Sequence, residues 1–242
     1  MPDPARAAFS GSTVLLTGVG ADGQVGQVVA RAFAEQGASL VLVDRTADHV
    51  DARVNELTRD GLLAAGYPCD LTDGAAVKSL VGRIREKHGD AVHALVHMAG
   101  GFAMSGPVAE STDEVWNRQI AINLTTAFTT ARAVLPMVRA GKGAIVFFAS
   151  EAVLPGSTGA RTSAYAVAKS GVVALMRAIA AEERPNGVRA NAVAPSSIRT
   201  ETNVREMGDT AKYVEREQVA DVVLFLCSRR ASAISGLVVP IA

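Results

Sequence analysis

Seven short apolar runs, rich in β-branched residues, alternate along this chain with longer segments that have the periodicity of helices. The runs cover residues 13–17, 39–44, 62–67, 92–97, 144–149, 188–193 and 237–241, and the helical segments cover 26–36, 47–59, 73–88, 113–140, 162–183 and 218–228. Runs that are apolar throughout and separated by helices indicate strands of a parallel sheet buried on both faces. The pattern therefore predicts an α/β fold, a doubly wound three-layer sandwich with a seven-stranded parallel sheet.

The composition favours a single domain over residues 1–242. Hydrophobic residues make up 49% of the chain and charged residues 20%, so a large core can be buried. The 24 Lys and Arg residues balance the 24 Asp and Glu residues, which argues against nucleic acid or an anionic membrane as a partner. No apolar run reaches the roughly 18 residues of a membrane span, and the N-terminus lacks the layout of a signal peptide. We therefore expect a cytoplasmic protein, and the spacing of Cys69 and Cys227 predicts no metal site.

A glycine-rich segment connects the first strand to the first helix. It runs from Gly18 to Gly26, where backbone amides and a helix N-terminus can hold a pyrophosphate, as in a Rossmann-type fold. Asp44 ends the second strand, where a carboxylate can bind the ribose hydroxyls of NAD(H) and repel a 2′-phosphate. Arg45 stands beside it and can accept a phosphate, so NAD(H) is favoured and NADP(H) stays open. Glycines alone also fit a turn that binds no ligand.

Tyr165 and Lys169 are four residues apart in a predicted helix, with Ser150 upstream. This spacing places a phenol and an ammonium on one helix face, one turn apart. A tyrosine hydroxyl titrates near pH 10, and a nearby positive charge lowers its pKa toward neutrality. The pair can therefore act as a general acid/base. Taken alone, the spacing also fits a tyrosine packed on the core beside a solvent-facing lysine.

The chain as a whole resembles the single-domain short-chain dehydrogenases/reductases, in their 3-oxoacyl-carrier-protein-reductase-like branch. The matching segments follow one another in the family's order: Thr17-Gly18 to Gly26, Asp70, Ala99-Gly100, Asn123, Ser150 with Tyr165 and Lys169, Asn191 to Pro195, and Thr200. The resemblance implies a nicotinamide-dependent oxidoreductase for a small carbonyl or alcohol substrate, assembled as a homodimer or homotetramer. A catalytically silent sensor or scaffold of the same fold is the alternative.

The resemblance also implies a role for each matched residue. Tyr165 would give or take the substrate proton, and Ser150 would hydrogen-bond the substrate oxygen. Lys169 would lower the tyrosine pKa and hold the nicotinamide ribose, while Asn123 would fix a water that links Lys169 to solvent. The cofactor-binding residues implied are Gly18, Gly26, Asp44, Asp70, Ala99, Gly100, Tyr165, Lys169, Pro195 and Thr200.

The chain departs from the family pattern at several points. The glycine turn is longer by about two residues, with Gln24 in place of a glycine, so only Gly18 and Gly26 transfer safely. His97 stands where the family has an asparagine, and we expect it to have a structural role. A catalytic role for His97 is the alternative. Residues 201–213 form a short segment expected to serve as a substrate lid. By analogy, the pocket is expected to be lined by Gly101, Phe102, Ala152, Leu154, Arg161 and Ile198.

Overall fold

The structure, a computed structural model, describes residues 8–242. Its seven strands are β1 (Thr13–Thr17), β2 (Ser39–Asp44), β3 (Ala64–Pro68), β4 (Ala94–His97), β5 (Ala144–Phe148), β6 (Arg189–Pro195) and β7 (Val238–Ile241). They form one sheet in the order β3-β2-β1-β4-β5-β6-β7, and all neighbouring strands are parallel. The predicted α/β fold with a seven-stranded parallel sheet is confirmed.

Eight α-helices surround the sheet. They are α1 (Val25–Glu35), α2 (Ala47–Arg59), α3 (Gly74–His88), α4 (Asp113–Gln119), α5 (Thr126–Ala140), α6 (Ser163–Glu182), α7 (Glu201–Met207) and α8 (Arg216–Cys227). One apolar core cluster joins the sheet to α3, α5 and α6, and a second joins the opposite face to α1, α2 and α8. Adjacent residues of β1 divide between the two, since Leu15 belongs to the first cluster and Leu16 to the second.

The strand order places a crevice at the carboxyl end of the sheet. From β1 the chain builds outward through β2 and β3, and then returns to place β4 on the other side of β1. In such sheets, ligands bind where the order reverses, outside the carboxyl ends of the strands. Gly18 and Met98 directly follow β1 and β4 and therefore lie at this crevice.

The segment predicted as one helix over residues 113–140 is interrupted. A six-residue π-helical turn, Ile120–Thr125, lies between α4 and α5. Its wider hydrogen-bond spacing cannot be read from the hydrophobic periodicity of the sequence. The expected lid segment also contains a helix, α7, that was not predicted. Thr200 caps it, because its Oγ1 accepts a hydrogen bond from the Asn203 amide at 3.1 Å.

By length and composition, α6 could cross a membrane. Its buried residues, which include Ala168, Val172 and Met176, pack against the sheet and the π-helical turn. Core helices pass the same test, and α6 packs against the sheet as such helices do.

Candidate active site

Helix α6 holds Tyr165 and Lys169 at the crevice. The Tyr165 ring is half-buried and packs edge-on against the Phe102 ring, with 5.1 Å between ring centroids. The Lys169 side chain is buried, and its Nζ atom lies 5.8 Å from the centre of the tyrosine ring. The predicted one-turn spacing therefore brings the phenol and the amine to the same pocket.

The Lys169 amine is bound to the backbone. Its Nζ donates a hydrogen bond of 2.7 Å to the carbonyl oxygen of Phe148, the last residue of β5. Burial lowers the Lys169 pKa to about 8 from the ordinary value of 10.5, because the charged form loses its hydration. This amine can therefore change protonation state close to neutral pH.

The expected lowering of the Tyr165 pKa is wrong for this structure. Burial raises that pKa above its ordinary value, and the carboxylate of Glu151 adds to the rise, whereas hydrogen bonding with Ser150 opposes it. Loss of water around the phenolate is the largest cause of the rise. The Lys169 amine donates its hydrogen bond to the Phe148 carbonyl and not to the phenol. At neutral pH the phenol is consequently protonated and able to donate.

Ser150 lies between β5 and a short 3₁₀ turn, Glu151–Val153. Its Oγ accepts a hydrogen bond of 3.2 Å from the Ala152 amide and caps that turn. The cap uses the oxygen as an acceptor, so the hydroxyl proton remains available to a substrate oxygen. Ser150 therefore caps this turn, and its catalytic role stays a prediction.

Asn123 occupies the π-helical turn and is almost fully buried. Its side-chain oxygen accepts from the Gly101 amide at 3.1 Å, and its nitrogen donates to the Gly101 carbonyl at 2.9 Å. Gln119 accepts further hydrogen bonds from the same nitrogen. These contacts show Asn123 fixing the loop after β4. Its expected role of holding a water beside Lys169 stays a prediction.

Two glycines of the turn, Gly18 and Gly26, make close backbone contacts. A Cβ on Gly18 would lie 2.4 Å from the Ala99 nitrogen, and φ at Gly18 is +74°. A Cβ on Gly26 would lie 2.3 Å from the Val19 carbonyl oxygen. Both positions therefore require glycine, and Gly18 brings the turn against the backbone of Ala99.

Polar contacts hold the lengthened part of the glycine turn. The Gly20 amide donates to Asp44 at 2.9 Å, and the Gly23 amide donates to the Gln27 side chain at 2.9 Å. The guanidinium of Arg53, fully buried in α2, donates to Asp22 at 2.6 Å. Neither Gln27 nor Arg53 was predicted from the sequence as a partner of the turn. The pairing of Arg53 with Asp22 spans 31 positions, so no local pattern indicates it.

Asp44 and Asp70 follow β2 and β3 at the same edge of the sheet. The second oxygen of Asp44 accepts a hydrogen bond from the Thr46 amide at 3.1 Å. This carboxylate therefore holds both the loop that follows β2 and the glycine turn. Asp70 accepts hydrogen bonds from the Thr72 hydroxyl and amide, which lower its pKa, with a smaller contribution from Arg45. Each carboxylate retains lone pairs for a ligand.

A small pocket of about 190 Å³ joins the catalytic candidates. Its walls come from the ends of β4, β5 and β6, from α6 and from α7. The residues are Met98, Gly100, Gly101, Phe102, Phe148, Ala149, Ser150, Tyr165, Lys169, Pro195, Ser196, Ile198 and Asn203. Among the expected lining residues, Gly101, Phe102 and Ile198 are present, whereas Ala152, Leu154 and Arg161 are not. Asn203 was missed because α7 was not predicted.

His97 is structural. It is buried between β4 and α5, with its Nδ1 atom 2.9 Å from the Thr17 hydroxyl and its Nε2 atom 3.3 Å from the Thr126 hydroxyl. Burial lowers its pKa to about 3, and the charge of Lys169 adds to this lowering. The imidazole is therefore neutral and joins β1 to α5, which leaves no catalytic role for it.

These residues fit a dinucleotide at the crevice. The cradle between Gly18 and Ala99 has no room for a Cβ, the Asp44 carboxylate stands at the end of β2, and Lys169 faces the pocket. With a tyrosine, a serine and a lysine converging on one pocket, the fold and site define a nicotinamide-dependent oxidoreductase.

Comparisons with known proteins agree. A family model described as enoyl-(acyl carrier protein) reductase matches residues 18–241. The D-threitol dehydrogenase of Mycolicibacterium smegmatis is 30% identical over 240 residues, which cover 94% of this chain and 90% of that protein. The meso-2,3-butanediol dehydrogenase of Serratia marcescens is 32% identical over 243 residues, which cover 96% and 94%. The structure of a short-chain type dehydrogenase/reductase from Mycobacterium ulcerans superposes with a TM-score of 0.88 at 30% identity, covering 96% of this chain and 89% of that one.

The chain belongs to the short-chain dehydrogenase/reductase family. The predicted family, fold class and oxidoreductase activity are thereby confirmed, and the silent sensor or scaffold is not supported.

Proposed function

We propose that this protein is an NAD(H)-preferring dehydrogenase that interconverts a secondary alcohol of a small diol or polyol with the corresponding ketone. The observation that carries this proposal is the 190 Å³ pocket into which Ser150, Tyr165 and Lys169 project. The relatives named as D-threitol and meso-2,3-butanediol dehydrogenases support a small diol or polyol as the substrate.

Tyr165 serves as the general acid/base, and Ser150 donates a hydrogen bond to the same substrate oxygen. In ketone reduction the protonated Tyr165 phenol gives its proton to that oxygen, and in alcohol oxidation the phenolate removes it. When bound, the nicotinamide supplies or accepts the hydride. Because the Tyr165 pKa is raised, reduction needs no prior deprotonation, whereas the rate of oxidation should rise as the pH is made alkaline.

Lys169 supports the tyrosine in two ways. Its position one turn away favours the phenolate that forms during reduction. A pKa of about 8 allows the amine to take up and release protons near neutral pH, which suits a relay to solvent through the loop that Asn123 holds.

Asp44 supplies the preference for NAD(H). A carboxylate there accepts from ribose hydroxyls and repels a 2′-phosphate. Asp44→Asn keeps an oxygen for the Gly20 amide and removes only the charge, so the preference for NADH over NADPH in kcat/KM should fall about ten-fold. An unchanged ratio of the two kcat/KM values, with both cofactors still binding, would refute this role for Asp44.

The deciding experiment is a spectrophotometric screen with NAD(H) and NADP(H). The panel pairs meso-2,3-butanediol, threitol and xylitol with a simple ketone, a cyclic diketone and a 3-oxoacyl thioester. We expect the highest kcat/KM with a diol or polyol and NAD⁺. Selective turnover of the acyl thioester would show that the substrate class is wrong. The relatives named as threitol and butanediol dehydrogenases support the choice of panel.

We further propose a cytoplasmic homodimer or homotetramer. Trp116 of α4 and Phe128 of α5 are 41% and 45% exposed, and exposed aromatic side chains on these helices suit contact with a second copy.

A further inference from the structure

A larger concavity lies at the opposite edge of the sheet, where the strands begin. Its volume is about 920 Å³. Its walls come from the residues just before or at the starts of β4, β5 and β6, from the end of α6, and from the segment that follows α8. It therefore lies far along the fold from the glycine turn and the pocket around Tyr165, which are at the carboxyl ends of the strands.

The charges in this cavity have one sign. Among the residues that the structure describes, five cationic residues line it and no Asp or Glu does: Lys142, Arg177, Arg184, Arg189 and Arg229. The chain as a whole has a formal net charge of zero, so this is a local concentration of positive charge. Such a concentration raises the local potential for anions.

Four of these five cationic side chains have no ion-pair or hydrogen-bond partner among the described residues. Within residues 8–242, the side chains of Lys142, Arg177, Arg184 and Arg229 form no ion pair and no hydrogen bond. The nearby Arg139 differs, because it binds the carboxylate of Glu183 with 2.6 Å between its Nε and Oε2. The buried carboxylate of Glu183, which precedes Arg184 in the chain, is thus already paired with a residue outside the cavity.

The floor of the cavity is fixed. Arg189 is partly buried and donates to the carbonyl oxygens of Leu226 at 2.7 Å, Ser228 at 3.1 Å and Ile234 at 3.3 Å. Lys142 has a φ of +44°, a backbone conformation that residues with a side chain rarely adopt. Strain of this kind is often retained where it places a functional side chain.

We propose that this cavity binds a small soluble polyanion that carries two or more adjacent phosphate groups. Arginine guanidinium groups match phosphate oxygens in pairs, and a cavity of this volume holds a small molecule. These cations line a concavity, which favours a small ligand over a nucleic acid. The site is distinct from the dinucleotide crevice.

The test is a calorimetric titration of inorganic tripolyphosphate into the full chain saturated with NADH, which fills the phosphate position of the crevice. The test variant is Arg177→Gln with Arg184→Gln. The matched control is Arg59→Gln with Lys78→Gln, which removes two exposed cations outside the cavity. We expect one saturable site, a Kd raised about 100-fold in the test variant and within about two-fold of wild type in the control.

Two results would overturn the proposal. One is the absence of saturable heat up to millimolar tripolyphosphate, and the other is equal weakening in the test and control variants. Retention of the protein on vesicles that contain phosphoinositides, without binding of tripolyphosphate, would assign the cations to a membrane and also count against it.

The proposal is separable from the proposed function. Neither Arg177 nor Arg184 lies at the catalytic pocket, so the test variant should keep the kcat of wild type. If the protein fails to bind NADH, the dehydrogenase proposal fails. The same titration without NADH, compared between the two double variants, still reports on this cavity.

Discussion

Helix α6 and the glycine turn are held in place by different kinds of contact. Lys169 is buried in α6 and held by the backbone carbonyl of Phe148, so its place depends on the sheet itself. The lengthened turn is held by side chains, with Asp22 tied to Arg53 and Gly20 tied to Asp44. The first region tolerates little variation in spacing. The second can gain residues as long as a polar partner reaches them, which is how this chain combines a standard catalytic helix with an unusual turn.

Replacing the phenol tests whether chemistry resides in α6 alone. Tyr165→Phe should lower kcat about 1000-fold, because the general acid/base is removed, and leave the Kd of NADH within about two-fold. Stopped-flow reduction and fluorescence titration measure the two effects. The control is Tyr67→Phe in β3, which loses a hydroxyl bonded to His88 of α3 and should keep full activity. A Tyr165→Phe variant with wild-type kcat would remove the phenol from the mechanism.

Gly26 tests whether the turn has an anchor as strict as that of the helix. Gly26→Ala places a Cβ 2.3 Å from the Val19 carbonyl oxygen and should reduce the free energy of unfolding by about 3 kcal/mol. Gly82→Ala is the matched control, since no atom lies within 4 Å of its added Cβ, and it should stabilise α3 by up to about 1 kcal/mol. Urea unfolding of both variants checks this, and equal stabilities would mean that the turn yields to the added methyl group.

The buried amine of Lys169 should show in the pH dependence of stability. Its folded pKa of about 8 lies below its unfolded value of 10.5, so between these values the unfolded chain binds more protons and stability rises with pH. From pH 8 to 10, the free energy of unfolding of wild type should gain about 2 kcal/mol relative to Lys169→Met. Urea unfolding at several pH values measures this gain. Parallel pH profiles for the two proteins would show that burial does not perturb the amine.

Asp22 gives the smallest effect and separates the turn from the chemistry. Asp22→Ala removes a partner of the buried Arg53 guanidinium and frees the turn, so the Kd of NADH should rise about five-fold with kcat unchanged. Asp51→Ala, an exposed carboxylate on α2, is the control. A fall in kcat with unchanged cofactor binding would reverse the division between the two regions.

Local sequence patterns predicted most of the fold, and what they missed depends on contacts distant in sequence. All seven strands have bounds within two residues of prediction at both ends because their apolar runs are short and sharply bounded, and β1 and β2 match throughout. The π-helical turn was missed because it adds one residue to a turn without breaking the apolar pattern. Helix α7 was missed because seven residues give little periodicity, although Thr200 with Asn203 three positions later is a capping signal.

The candidate site was predicted in its residues more fully than in its electrostatics. Ser150, Tyr165 and Lys169 share one pocket as expected. The direction of the Tyr165 pKa shift was wrong because sequence spacing shows a neighbouring cation but not the loss of water around the phenol. The path of the glycine turn depends on Arg53, whose pairing with Asp22 only the folded chain reveals.

The imidazole between β1 and α5 makes the centre of the molecule sensitive to acid. With a folded pKa of about 3 against an ordinary 6.5, His97 resists the proton that an unfolded chain would take up. Between these values each unit of acidification therefore removes up to about 1.4 kcal/mol of stability through this one side chain. We therefore expect the protein to be most safely purified and stored above pH 7, where the neutral His97 imidazole keeps its contacts with β1 and α5.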